Sequence, residues 1–352
     1  MKKFLTHSWY LFLKGLFKIG IFFSMKKLIV KGTENIPKKG PVIFIGNHQN
    51  AFIDAILIPT TNGRTTYFLA RSNPFKNKYI AKILKGSNMY PVYRLQDGAR
   101  TIKNNLAVFE TCHDLLAKGK ALEIFAEGLH HLDRRIYPLR KGFARIIHGT
   151  LEKYPELEIT IVPVGINYDT HLKYPASVSV IYGKPIVAND FIDLDNIDIR
   201  YHELKTVVSN ALKKLTLHIE EVDNYKEVVE QLEDLGIDYL DPDKAYYTYN
   251  NRNKLKPVPK KQAHWLFSMA ISLWKLNSFI PLLLWKKIAK KISEIIFTST
   301  FRFVFVIVVF PLFYLLQSLL VNYLFSTEIA LWYLFGSVLL GLIATKKGII
   351  QK

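Results

Sequence analysis

One cysteine, Cys112, stands among 352 residues. That excludes an intramolecular disulfide and any zinc site built on paired cysteines. A reducing, cytoplasm-facing compartment is compatible with it. Several catalytic signatures are missing as well. The chain has no G-x4-G-K-[ST] phosphate loop, no G-x-G-x-x-G after a strand, no G-x-S-x-G elbow and no H-E-x-x-H. Their absence counts against ATPase, dehydrogenase, α/β-hydrolase and zinc-protease readings. Metal-ligating residues are sparse, so no metal is expected to be required.

Acidic residues are scarce too. There are 29 Asp and Glu against 48 Lys and Arg, a formal charge of +19, and 49% of residues are hydrophobic. So much apolar content excludes a disordered basic tail. A nucleic-acid partner is not expected, because the positive charge sits beside apolar segments and is not interleaved with aromatics on one module. Cationic and apolar together, the chain reads as one that works at an anionic membrane surface.

Length allows two or three units. Residues 1–27 hold an apolar stretch, 8–24, broken by Lys14 and Lys18 on one helical face. It is too short and too charged for a good span, and reads as an amphipathic interfacial helix. A signal peptide is disfavoured, because Met25-Lys26-Lys27 follows where a small-residue cleavage site would be needed. Residues 28–220 alternate short apolar runs with helical patterns. The runs are Val42–Ile45, Thr66–Leu69, Ala121–Phe125, Ile159–Val164 and Val178–Tyr182. The main helical stretches are Ala99–Ala117 and Phe143–Lys153, with 200–235 also helical. The pattern predicts an α/β fold with a largely parallel sheet flanked by helices. Residues 221–262 read as a helical extension followed by a polar linker over 236–262.

Residues 263–352 change character. Residues 303–325 are apolar and uncharged, long enough to span a bilayer, with Pro311 as a site for a kink. Residues 329–344 follow after a short turn bearing only Glu328. Lys286, Lys287, Lys290, Lys291 and Arg302 precede this hairpin, and Lys346 and Lys347 follow it. The positive-inside rule therefore predicts a transmembrane hairpin over 303–344 with both ends cytoplasmic. That places the soluble domain on the cytoplasmic face of the cell's inner membrane. Residues 265–285 are apolar with basic groups on both sides, which favours an interfacial or re-entrant segment over a crossing.

The chemistry-bearing residues cluster at strand ends. Val42–Gly46 runs into Asn47-His48, and Asp54 follows six residues later. Ligand crevices of open α/β sheets lie at the carboxyl ends of strands. A His on the loop could meet a carboxylate in the first turn of the next helix, the pairing that suits a general base. Three more segments end in polar or basic groups: Asn88–Arg94, Glu123–Gly128 with His130, His131, Arg134 and Arg135 beyond it, and Ile161–Tyr168. Arginines there would suit a phosphate.

In this arrangement the chain resembles the glycerolipid acyltransferase superfamily, the PlsC-like phospholipid/glycerol acyltransferases. Asn47-His48 with Asp54 is similar to that family's N-H-x4-D block, with five intervening residues instead of four. The x5 form resembles the fungal glycerol-3-phosphate/dihydroxyacetone-phosphate acyltransferase branch. Met89–Arg94 resembles the block that ends in arginine, and Phe125-Ala126-Glu127-Gly128 resembles F-P-E-G without its proline. Pro138–Gly142 resembles a downstream basic stretch, Val162–Tyr168 the fourth block, and Tyr182–Ile186 a late strand and turn. The resemblance implies His48 as general base and Asp54 as its support. It implies Asn47, Arg94, Glu127 and Gly128 around the acceptor, with Arg134 and Arg140 as further candidates. The donor would be acyl-CoA or acyl carrier protein, and no cofactor is implied. The acceptor would be a phosphorylated glycerol or a lysophospholipid. A non-glycerol lysolipid acceptor, a non-catalytic anionic-lipid-binding protein and a lipid-ester hydrolase remain as alternatives.

Overall fold

The computed structural model describes residues 2–93, 104–191, 196–221, 223–259 and 265–347. A long helix α1 (Lys2–Ser24) leads into β1 (Lys27–Lys31). The units β2 (Val42–Gly46), α2 (Ala51–Thr61), β3 (Thr66–Arg71), α3 (Lys78–Gly86) and β4 (Met89–Val92) follow. Next come α4 (Asn104–Ala117), β5 (Ala121–Ile124), α5 (Gly142–Lys153), β6 (Thr160–Tyr168), β7 (Ser177–Tyr182) and the short β8 (Ile186–Val187). The sheet runs in the order β1-β7-β6-β2-β5-β3-β4, with β8 beside β6. The five strands from β6 to β4 are mutually parallel, and β7 and β8 run antiparallel to β6. The sequence reading finds the central strands. It misses β1, whose KLIVK is too short and too charged to stand out.

Strand alternation divides the core in two. Ile43, Ile45, Leu122 and Ile124 face one side, where α4, α5 and α6 (Ile197–Leu215) pack through Cys112, Leu116, Phe143, Ile147, Val208 and Leu212. Val42, Phe44, Val162 and Val164 face the other, against Ile53, Ile56 and Leu57 of α2 and Ile21 of α1. Both faces of β2 are therefore covered, as its uninterrupted apolar run requires. Helix α1 turns Tyr10, Leu13 and Ile21 inward and leaves Leu11, Phe12, Ile19 and Phe22 exposed. Lys14 points at the domain and donates to the carbonyls of Asn62 and Arg64 at 3.0 and 3.3 Å.

Close packing fixes the floor of the sheet at Gly165. A Cβ there would lie 2.3 Å from the Leu215 carbonyl oxygen at the end of α6, and that oxygen is already held by Asn167 Nδ2 at 2.9 Å.

The expected linker over 236–262 is in part a folded unit. Helices α7 (Tyr225–Asp234) and α8 (Pro242–Asn250) close around Leu217, Ile219, Val228, Leu232, Tyr239 and Tyr249. Tyrosine rings supply core while their hydroxyls find polar partners, so a Tyr-rich polar stretch hides a core. Asp241 accepts from the Lys244 N–H and Pro242 opens the helix, a start signal legible in the sequence. The helical stretch expected over 200–235 is likewise two helices, separated where Leu217 and Ile219 insert.

Helices α9 (Trp265–Asn277) and α10 (Phe279–Ala289) are bent by 80° at Ser278. Pro281 has no N–H to give the Asn277 carbonyl. Gln317 Nε2 donates to that oxygen instead, at 3.3 Å. Asn277 also bonds Ser337 and Tyr333, and Ser278 bonds Tyr314, so freed polar groups at the bend are satisfied inside the helix bundle. Helices α11 (Thr298–Leu324) and α12 (Thr327–Lys347) are long and apolar enough to cross a membrane. Helix α11 continues through Pro311 as one element. Its Phe303, 2% exposed, belongs to the α/β core beside Ile21.

Gly165→Ala is expected to destabilise the chain by ~1–3 kcal/mol, the range for overpacking a core against backbone that cannot yield. Thermal unfolding in detergent checks this, with Gly63→Ala, which meets open space, as the control.

Candidate active site

The site forms where β2 stops. Past Gly46 the chain leaves the sheet, and the Asn47 side chain takes over the pairing. Its Oδ1 accepts from Ile166 N–H at 2.7 Å and its Nδ2 donates to Ile166 O at 3.0 Å. Both ends of the amide are used, so Asn47 fixes the loop exit and is not offered to a substrate.

Asp54 lies in the first turn of α2 and is fully buried. Its Oδ2 accepts from the backbone N–H groups of Gln49 and Asn50 at 2.8 and 2.6 Å, and from His48 Nδ1 at 3.0 Å. Its Oδ1 accepts from the Tyr168 hydroxyl at 2.6 Å. Burial beside this carboxylate pushes the Tyr168 phenol well above its ordinary range, so it stays a donor. With a carboxylate at Nδ1, the network assigns the proton to Nδ1 and leaves Nε2 with a lone pair. Among the described residues Nε2 has no hydrogen-bond partner, and the His48 side chain is 14% exposed. The ring lies flat on Phe125, 4.1 Å between centroids, with His130 edge-on at 5.6 Å. The Nδ1 proton is thus anchored and the ring plane fixed, while Nε2 can take a proton.

Glu127 has a different place from the one the resemblance implies. It is 1% exposed. Its Oε1 accepts from His48 N–H at 3.3 Å, and its Oε2 from His131 Nε2 at 2.7 Å and Tyr137 N–H at 2.9 Å. His131 N–H in turn donates to His48 O at 3.1 Å. Glu127 therefore braces the histidine loop from inside. Gly128 makes the turn that aims this brace, with φ of 72°, a left-handed conformation that favours glycine.

Arg134 is also structural. Its guanidinium donates to Tyr168 O at 2.6 Å and lies 3.7 Å from the Tyr239 ring centroid, tying the α7–α8 unit to the end of β6. Stacking and carbonyl acceptors let a planar cation be buried here. Arg140 is exposed, its side chain beside Gly128. Of the two downstream arginines it alone is open to a solvent-borne anion. Arg94 lies outside the described residues.

Three partners escape the sequence reading. Tyr168 is visible as the end of an apolar strand and of the fourth block, with no sign of its bond to Asp54. His171 is neutral, its pKa held well below the usual histidine range mainly by burial, and its Nε2 donates to Gln49 Oε1 at 3.2 Å. Phe297, just before α11, packs edge-on to His130 at 5.3 Å. The membrane helix thus begins at the rim of the site.

The acyltransferase family description matches residues 27–167. Glycerol-3-phosphate O-acyltransferase 2 of Saccharomyces cerevisiae is 24% identical over 201 residues, covering 53% of this chain and 25% of that protein. The 1-acyl-sn-glycerol-3-phosphate acyltransferase of Borreliella burgdorferi is 26% identical over 163 residues, 46% of this chain and 59% of the relative. The crystal structure of the 1-acyl-sn-glycerophosphate acyltransferase PlsC from Thermotoga maritima aligns with a TM-score of 0.40 at 20% identity, over 55% of this chain and 74% of that one. This chain spans between a quarter and three fifths of the length of the two curated relatives. The His48–Asp54 pair and the Phe125–Gly128 block lie inside residues 27–167, the segment that matches the acyltransferase family.

Proposed function

We propose that the chain is a membrane-associated O-acyltransferase of phospholipid synthesis, moving an acyl group from a thioester to a hydroxyl of glycerol phosphate or a lysophosphatidate. The observation that carries this is the buried Asp54 carboxylate on His48 Nδ1, with Nε2 left to act. Nε2 removes the acceptor hydroxyl's proton as its oxygen attacks the thioester carbonyl. The C–O bond forms, the C–S bond breaks, and the imidazolium returns the proton to the leaving thiolate. Asp54 holds the tautomer and stabilises the imidazolium. No acyl-enzyme is needed, and Cys112, on the core-facing side of α4, takes no part. The relatives above, named as acyltransferases of glycerol-3-phosphate and of 1-acyl-sn-glycerol-3-phosphate, support the acceptor class. The x5 spacing of His48 and Asp54 favours glycerol phosphate. Exposed Arg140 is our candidate for its phosphate, with Arg94. The donor is acyl-CoA or acyl carrier protein.

The basic flanks of the α11–α12 hairpin favour both of its ends, and the site, on the cytoplasmic side. Phe297 against His130 supports a site that opens at the membrane, where amphiphilic substrates reside.

His48→Ala should lower kcat/KM by ~10²–10⁴-fold, the range for a general base, with thermal unfolding shifted by no more than the loss of one of the four hydrogen bonds to Asp54. The assay pairs acyl-CoA or acyl carrier protein with glycerol-3-phosphate and lysophosphatidate; near-normal turnover refutes the mechanism. Tyr168→Phe removes one donor from Asp54 and should cost on the order of 10-fold in kcat, with KM little changed. For orientation, Ser326→Cys in the hairpin turn should react with an impermeant maleimide in intact cells. Reaction only after permeabilisation would invert the topology.

A further inference from the structure

A second concave feature lies away from His48, between the bent pair α9–α10 and the start of α11. It encloses about 640 Å³, within the size range of small-molecule sites. Its lining combines apolar Phe279, Leu282 and Trp285 with basic Lys286, Lys290 and Arg302. Lys286 and Lys290 are four residues apart and share one helical face. Among the described residues none of the three cations has a carboxylate within 4 Å.

Arg302 is the most constrained of them. Its guanidinium lies between the rings of Tyr174 and Trp285, 5.3 Å from each centroid. One Nη1 donates to Leu172 O at 3.1 Å, while Nε is buried and has no partner among the described residues. A partly buried cation without a carboxylate partner is costly, and an anion in the crevice offsets its charge. An inorganic anion would use the basic groups and leave Phe279 and Leu282 uncovered. An amphiphile uses both.

We infer that this crevice binds one anionic phospholipid, its phosphate between Lys286, Lys290 and Arg302 and its chain along Phe279 and Leu282. Charge complementarity selects the headgroup, and the apolar lining selects a lipid over a free ion. The site is distinct from the reaction centre, and its occupancy is read by binding alone, so it stands whether or not His48 is a general base. A lipid seated there would join the membrane helices to the α/β domain. Arg302 and Ser299 bond the carbonyls of Leu172 and His171, and His171 bonds Gln49 beside His48.

The test is native mass spectrometry of the full-length chain in detergent, titrated with phosphatidylglycerol, phosphatidylcholine or inorganic phosphate. One phosphatidylglycerol should be retained, with a Kd on the order of 10-fold below that of phosphatidylcholine, and phosphate should not displace it. Lys286→Gln with Lys290→Gln, both exposed positions, should weaken phosphatidylglycerol on the order of 10–30-fold and leave phosphatidylcholine unchanged. Lys214→Gln with Lys226→Gln removes equal charge from α6 and α7 and should change nothing. Equal retention of both lipids by the unaltered chain overturns the proposal. So does full phosphatidylglycerol affinity in the Lys286/Lys290 variant, or displacement by phosphate, which would mark a free-anion site.

Discussion

A single buried carboxylate organises the catalytic end of this sheet. Removing Asp54 from water is costly unless other donors replace the solvent. Four do so: two loop amides, the His48 ring and the Tyr168 hydroxyl. These donors come from the loop after β2 and from the end of β6, so one anion ties strand, loop and helix together. The same demand explains local strain. Ala51 has a φ of 37°, a conformation that costs a non-glycine residue ~1–2 kcal/mol. The loop tolerates it because the two preceding amides, of Gln49 and Asn50, are committed to the carboxylate.

Around that anion, polar residues divide by the direction they face. Asn47, Glu127 and Arg134 bond backbone or neighbouring side chains and brace the loop from inside. His48 and Arg140 face outward. A site of this kind keeps its reactive group rigid through a shell of satisfied polar contacts and leaves one atom open.

The parallel strands and the apolar hairpin were legible, because hydrophobic periodicity and run length determine them directly. The His48–Asp54 pairing was legible through spacing and the family-like blocks. Side-chain direction was not. An arginine after a strand reads as solvent-exposed, yet Arg134 is buried by a tyrosine ring contributed some hundred residues later. The α7–α8 unit was obscured for the same reason, its core being built from Tyr239 and Tyr249. Tyr168 gave no sign of its role, because only the fold brings the end of β6 beside the start of α2.

The seating of α11 has a geometric consequence. Phe303 lies inside the α/β core and Phe297 touches the histidine cluster, so the apolar helix starts within the domain and not beyond a tether. The height of His48 above the lipid is then set by helical register, about 1.5 Å per residue, and not by the slack of a connecting chain.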